Sequence, residues 1–502
     1  MSHGHEPTTL LNALDQRLAA AAAALAIPVS DEREPSTEPG SAAGTLLPLL
    51  IGACRRAAGT DVSWLVMTAI AGAFPRPEEV HTFRRQLELR PDHELCAALL
   101  ADAVEHPVRG RLDLEMDVYP GGVVVNVDFC ARHDIHTGIH RVVRETLPRW
   151  RAAHSIVATA NIDEYSALRT LAPRELNRVF AFGVDDTVDP AEERAYRARL
   201  VVPWRGVLVI PEIPDPAFSP YLAALAEFSG TEVAVIGYDM IPVISADLRP
   251  HVDAVRFGIY LTVVKHAARV AGISISATTE FSGFAHAVTA QGLPGPAVLE
   301  VLLPGDVPPP LAQSAPGERS KRPRILCVGS HEPHKNHPTV LHAAERLWRS
   351  GLDFELEFIG GPGWRSDEFL SSIARARRRG RPVRNRGRVV DDELWRAYRD
   401  ASFTVFLSVH EGFGLPVVES LGCGTPVVTG DYGSLSEIAD GGGCLAVDPR
   451  DDDAVTGAIR TLLTEPATLG RLREEAIRRP VRRWDEYATE LWDVLAVRGG
   501  AT

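Results

Sequence analysis

Apolar residues recur along this chain in two rhythms. From residue 122 onward, short unbroken runs at 122–127, 205–210 and 232–236 have the length of buried strands. They alternate with longer segments, 191–200 and 251–271, whose spacing predicts helices. The same alternation returns with a strand over 324–328, a helix over 338–350 and a strand over 354–359. Strands alternating with helices predict parallel sheets. Between the two series, 308–323 is rich in proline, serine and charge and reads as a linker. Ahead of both, residues 1–112 carry helical stripes at 46–57, 63–74 and 95–104, broken by a loop-like stretch at 28–44. The predicted division is a helical extension (1–112), a Rossmann-like domain (113–307), the linker (308–323) and a second Rossmann-like domain (324–480). Two such domains place a ligand cleft between the carboxyl ends of their sheets.

Composition narrows the function classes. With 45% hydrophobic and 24% charged residues over 502, the chain is a globular protein of two or three domains. A formal net charge of −13 argues against a general nucleic-acid binder. The six cysteines are scattered without a CxxC pair, which fits buried thiols in a reducing cytoplasm rather than disulfides or a zinc site. No basic n-region opens the chain and the apolar run 18–27 is too short to span a bilayer, so the expectation is a cytoplasmic protein. Lysine occurs only at 265, 321 and 335 while arginine abounds, the usage of a GC-rich bacterial genome. A lysine inside a glycine-led loop stands out against that background.

The chemistry concentrates in three loops, each just after a predicted strand. His410-Glu411-Gly412-Phe413-Gly414-Leu415-Pro416-Val417-Val418-Glu419 follows an apolar run at 401–409 and leads into a helix expected to start at Pro416, since proline suits a first helical turn. Gly412 and Gly414 let backbone approach a ligand, and the helix start offers free N–H groups and a positive dipole end, a cradle for phosphate. Glu411 and Glu419 can face one cleft and accept hydrogen bonds from vicinal diols, a sugar on one side of a diphosphate and a ribose on the other. Gly329-Ser330-His331-Glu332-Pro333-His334-Lys335-Asn336 follows the strand 324–328 and brings in the lysine. Asn126-Val127-Asp128-Phe129 and His133-Asp134-Ile135-His136-Thr137-Gly138-Ile139-His140-Arg141 follow the strand 122–127, and Tyr238-Asp239-Met240-Ile241-Pro242 ends another. The arginine-rich stretch 375–388 reads as a solvated helix end and loop on an acidic protein, with weak attraction to an anionic membrane surface as the other reading.

These segments, with Gly387-Arg388-Val389, Gly424-Thr425-Pro426-Val427-Val428 and Gly433-Ser434-Leu435-Ser436-Glu437, resemble retaining GT-B glycosyltransferases of family 4, the glycosyl transferases group 1. The resemblance covers roughly residues 122–495 and leaves the extension unmatched. It implies an α/β GT-B fold, two Rossmann-like domains facing a central cleft, and a closing helix (481–502) that packs back on the first domain. It implies transfer of a hexosyl group, mannosyl and deoxyhexosyl included, from a nucleotide diphosphate sugar to a hydroxyl of a glycan, lipid-linked glycan or natural product, without metal or cofactor. Lys335 and Glu411 are then catalytic. Gly329, Ser330, Lys335, Arg388, Val389, Glu411, Gly412, Phe413, Gly414, Leu415 and Glu419 bind the donor, while Thr137, Gly138, His140, Arg141 and Asp239 border the acceptor. His334 replaces the family's arginine, and Ser330 stands where many relatives carry a second phosphate-binding arginine, so one lysine is left among hydroxyl and backbone donors. The other readings are a GT-B phosphorylase or epimerase, and a non-catalytic partner subunit of another transferase. The extension is expected to dock on its own core, on a second subunit or on an acceptor carrier, with donor binding surviving its removal.

Overall fold

The computed structural model describes residues 6–28, 38–106, 109–135, 137–183, 187–307 and 322–498. His136 and all but the last two residues of the expected linker lie outside them. Among the described residues the strands form two sheets. The first holds β1 (Met116–Pro120), β2 (Val123–Asn126), β3 (Ile156–Asn161), β4 (Leu168–Thr170), β5 (Leu200–Trp204), β6 (Val207–Ile210), β7 (Glu232–Gly237), β8 (Arg269–Gly272) and β9 (Ala297–Glu300), in the order β1-β5-β4-β3-β2-β6-β7-β8-β9. All neighbours are parallel except β4, which runs antiparallel to β3 and β5. Val-Leu-Val-Ile of β6 is buried throughout, as expected of a strand covered on both faces. From β2 the order runs to β3 on one side and to β6 on the other, so a crevice opens beyond their carboxyl ends. The second sheet holds β10 (Arg324–Val328), β11 (Glu355–Ile359), β12 (Val383–Asn385), β13 (Phe403–Phe406), β14 (Val427–Gly430) and β15 (Cys444–Val447), all parallel, in the order β12-β11-β10-β13-β14-β15.

Two of the predicted helices are shorter than their patterns. The segment 191–200 is helical only over Pro190–Ala195, because Leu200 already pairs with Met116 in the sheet. The helix expected over 251–271 ends at Val264, and Arg269–Gly272 instead joins β7 as β8. In both, strand pairing overrides a local pattern that reads as helix. The helices Pro7–Ala24 and Pro77–Leu89 went unread in the sequence.

The extension forms the helices Pro7–Ala24, Ser41–Arg56, Asp61–Ala71, Pro77–Leu89 and Asp92–Glu105 and shares one continuous core with the first sheet. Leu18, Leu50, Trp64 and Phe74 pack in one cluster with Met116, Leu168, Val201 and Phe218. Arg17 lies in that seam, 1% exposed. Its guanidinium donates to the carbonyls of Ala69 (2.7 Å), Leu112 (2.6 Å) and Leu114 (2.8 Å).

The last helix, Trp484–Leu495, buries Trp484, Tyr487, Leu491 and Leu495 in the core of the first domain. Trp150 donates its indole N–H to the Ala488 carbonyl (2.7 Å), and His154 stacks flat on Trp492 at 3.7 Å. The chain therefore crosses between the domains twice, between Val307 and Arg322 and again between Arg479 and Trp484. Among the described residues, no helix is long and apolar enough to cross a membrane.

Candidate functional site

The loop after β13 reaches its conformation through Gly414, whose φ of 111° suits glycine, at the N-cap of the helix Leu415–Gly422. Pro416 sits in the first turn. At Gly412 a side chain would strike the Tyr238 carbonyl, so the loop presses directly on the first domain. Ser274 donates its hydroxyl to the Gly412 carbonyl (2.6 Å). Ser434 donates to the Glu411 carbonyl (2.9 Å), which fixes the loop from the other side.

Lys335 ends a short turn after β10 and meets this loop, its ammonium 2.5 Å from Glu411 Oε1 and over the ring of Phe406. Burial alone would raise the Glu411 carboxyl, yet Lys335 and then His334 hold it below the usual carboxylate range. His334 itself is pushed down to about 4 by burial and by Lys335. Near neutral pH the imidazole is therefore uncharged and the charge at this point is the lysine's, with His334 adding to it only in acid. Gly329, with φ of 147°, donates its N–H to the Ile359 carbonyl (2.9 Å), and Ser330 follows it, half-buried.

One turn deeper, both carboxylate oxygens of Glu419 are engaged. Oε1 accepts from Arg141 of the first domain (2.7 Å) and Oε2 from the Tyr398 hydroxyl (2.8 Å). Burial pushes this carboxyl above its ordinary value despite the arginine. The Arg141 guanidinium lies near the rings of Trp395 (5.6 Å) and Trp484 (5.9 Å). Thr137, Gly138, Arg141, Leu415 and Glu419 line one cavity of about 470 Å³ between the domains. Among the residues expected at the acceptor, these three of the first domain thus stand beside the deeper glutamate. His140 instead turns back on its own helix, 3.0 Å from the Thr137 hydroxyl and stacked on Phe129. Arg388 is exposed beside Gly361, and Val389 packs near Trp395 and Tyr398. Phe413 touches the apolar clusters of both domains.

Asp239 lies against Gly412 and accepts from the Ile241 N–H (3.1 Å); burial pushes its carboxyl up to about 6. Sequence reasoning placed His410, Glu332 and Glu437 in their motifs but missed the partners that hold them. His410 bridges Ser245 (2.8 Å) and Glu280 (2.7 Å), and Arg249 reaches across the cleft to Glu332 (2.5 Å). Glu437 accepts from the N–H groups of Ile275 (2.9 Å) and Ser276 (2.7 Å), again across the domain boundary. These partners sit on unrelated segments, and no local motif announces them.

At the crevice beyond β2 and β6 lies a second cavity, of about 410 Å³. Asn126, Phe129, Tyr165, Glu212 and Arg256 are among its lining residues. Asn126 Oδ1 is buried without a hydrogen-bond partner, and Arg132 is already matched by Asp128 (2.8 Å) and Asp163 (3.0 Å). Glu212 accepts from the N–H groups of Phe129 (2.8 Å) and Cys130 (3.0 Å), and burial raises its carboxyl to about 7. A carboxyl raised on folding stabilises the protein below its unfolded value and loses that contribution as pH climbs through the folded one. Glu212→Gln is therefore expected to flatten the fall in stability between about pH 5 and pH 7.5, by about 1–3 kcal/mol relative to wild type. Urea unfolding at a series of pH values measures it; parallel curves for the two proteins would contradict it. Among the described residues, no group of three or more His, Cys, Asp or Glu side chains could hold a metal ion.

Residues 311–479 match the family model described as Glycosyl transferases group 1. The O-antigen chain mannosyltransferase B of Escherichia coli is 36% identical over 135 residues, 27% of this chain and 35% of that protein. The serotype-specific mannosyltransferase WbdA of Escherichia coli is 24% identical over 344 residues, 63% of this chain and 38% of its own. The MMP alpha-(1->4)-mannosyltransferase of Mycolicibacterium hassiacum is 31% identical over 182 residues, 35% and 43% of the two chains. The matches thus span less than half the length of these relatives. Among solved structures, sucrose-phosphate synthase from Thermosynechococcus elongatus superposes with a TM-score of 0.51 at 16% identity, over 75% of this chain and 96% of that one. The catalytic domain of starch synthase IV from Arabidopsis thaliana, bound to ADP and acarbose, gives 0.50 at 11% identity, over 75% and 99%. The fold is GT-B.

Proposed function

We propose that this chain, whose C-terminal domain belongs to the glycosyl transferases group 1 family, moves a hexosyl group from a nucleotide diphosphate sugar to a hydroxyl of a carbohydrate acceptor. The observation that carries this reading is the pairing of Lys335 with Glu411 at the glycine loop that opens the helix Leu415–Gly422, with Glu419 one turn deeper. A diphosphate set on that helix start meets free N–H groups and the ammonium of Lys335, which counter the charge that grows on the leaving group. Lys335 and the helix dipole do here what a metal does elsewhere. Glu411 then takes the donor sugar, Glu419 the ribose diol, and the surface at Arg388 and Val389 the base.

The acceptor reading rests on the cavity beyond β2 and β6. Of its arginines, Arg132 and Arg249 are matched by carboxylates and Arg256 is exposed, while Asn126 and the rings of Phe129 and Tyr165 suit a polyol. A sugar of a growing glycan fits this lining. The names of the mannosyltransferase relatives favour a mannosyl group as the one moved. Transfer with retention needs no enzyme nucleophile: the acceptor hydroxyl attacks from the face that the diphosphate leaves, and the protein contributes position and charge.

A thermal-shift screen of UDP, GDP, dTDP and ADP in EDTA-containing buffer tests the donor side, and the anomeric NMR signal of the product tests retention. No shift with any of the four would sink the proposal. Glu419→Ala is expected to weaken binding of the preferred nucleotide about 10–100-fold, the scale of losing a hydrogen bond to a charged group. Calorimetry giving the wild-type affinity would remove Glu419 from the site.

A further inference from the structure

Arg141 stands in a position that neither a donor nor an acceptor role has yet explained. It belongs to the first turn of the helix Gly138–Ala153, yet its guanidinium binds the buried carboxylate of Glu419 in the other domain at 2.7 Å. That carboxylate is also the group proposed for the ribose diol. Tyr398 holds Oε2, so a diol reaching Glu419 contends with Arg141 for Oε1.

We infer that Arg141 is a second cation of the diphosphate site, delivered across the cleft by the first domain and handed from Glu419 to the phosphates when ribose takes the carboxylate. The inference rests on the glycosyl-transfer reading above. Three observations support it. First, Gly138 abuts Leu415, so the start of the Arg141 helix meets the start of the phosphate-binding helix. Leu415 and Glu419 are four residues apart on that helix, about 6 Å along its axis, and an arginine side chain spans that step by rotating. Second, the flanking rings of Trp395 and Trp484 offer faces along which a guanidinium can turn while keeping its cation–π attraction. Third, the loop after β10 contributes the single cation Lys335, already paired with Glu411, and a hydroxyl at Ser330. A diphosphate ester brings about two negative charges and is met far better by a planar, bidentate second donor.

The test compares the best binder among UDP, GDP, dTDP and ADP with its own nucleoside, on the full chain, by calorimetry. Arg141→Gln is expected to weaken the diphosphate about 10–100-fold while leaving the nucleoside within about 3-fold of wild type or tighter, since its competitor for Glu419 is gone. Arg141→Lys is expected to fall between, because an ammonium restores charge without the fork. Glu419→Gln complements these. It should weaken the nucleoside while keeping the ratio of diphosphate to nucleoside affinity at least as high as in wild type. The inference is overturned if Arg141→Gln lowers both ligands by one factor, if it leaves the diphosphate unchanged, or if Glu419→Gln lowers the ratio. Should Arg141→Gln fail to fold, the Glu419→Gln ratio still decides. A wild-type protein that binds none of the four diphosphates removes the parent reading, and this one with it.

Discussion

Replacing Lys335 by alanine is expected to lower kcat about 10²–10³-fold while changing the donor KM much less. The ammonium meets charge that grows as the diphosphate leaves, so its loss is felt in the transition state more than in the bound donor. It also keeps Glu411 ionised in a buried place: without it, the largest force opposing burial is gone and the carboxyl moves upward. The stability penalty should therefore be smaller in acid, where the carboxyl is protonated, and grow as pH rises and burial opposes its ionisation. Steady-state kinetics with the preferred donor, beside melting curves at pH 5 and pH 8, check both halves. Activity within a few-fold of wild type would mean that another cation carries the phosphate.

Arg17→Ala is expected to destabilise the whole protein by about 3 kcal/mol or more, although it lies in the extension's seam and not among the residues of the cleft. Its guanidinium satisfies three buried carbonyls from two parts of the extension–sheet seam, and burial lowers its pKa to about 10 without releasing its proton near neutrality. Alanine leaves those carbonyls facing a void. The same seam changes the outlook for a protein cut at residue 112. The donor motifs all lie beyond residue 320, which made retained donor binding the expectation from sequence. The shared core instead means that the cut bares Met116, Leu168 and Val201 on the first sheet and Phe218 beside it. Aggregation of the truncated protein, and an early urea transition for Arg17→Ala, are the expected results. A monomeric truncation with wild-type nucleotide affinity would contradict the seam's importance.

How far the sequence could be read depends on how local each feature is. The glycine loops after β2, β10 and β13 were legible because a strand end, a glycine and a helix start follow one another within a dozen residues. Glu411, Glu419 and Lys335 were singled out for that reason. Arg249, Glu280 and Ser245 were not, because each reaches the cleft from its own segment and only the closed fold brings it to Glu332 or His410. The helix misread over 191–200 has the same origin. Its spacing is helical, but the partner that draws Leu200 into a strand is Met116, more than eighty residues earlier. The extension's stripes announced that something must cover them without saying what. The answer lay in β1 and β5, whose apolar residues offer no local sign of a helical neighbour.

The two crossings of the chain between domains constrain motion as two pins constrain a door. A single connection would leave the second domain free to swivel, whereas two fixed points define an axis and permit mainly a swing about it. Beside the second crossing lies a cavity of about 190 Å³ lined in part by Leu303, Gly305, Val418 and Pro480, close to the line the swing must follow. Glu437, which accepts from Ile275 and Ser276, lines that same cavity and so lies by the pinned side, whereas the bond from Arg249 to Glu332 joins the domains away from it. That bond acts as a latch, so departure of the spent nucleotide should break it first and leave the pinned side in place.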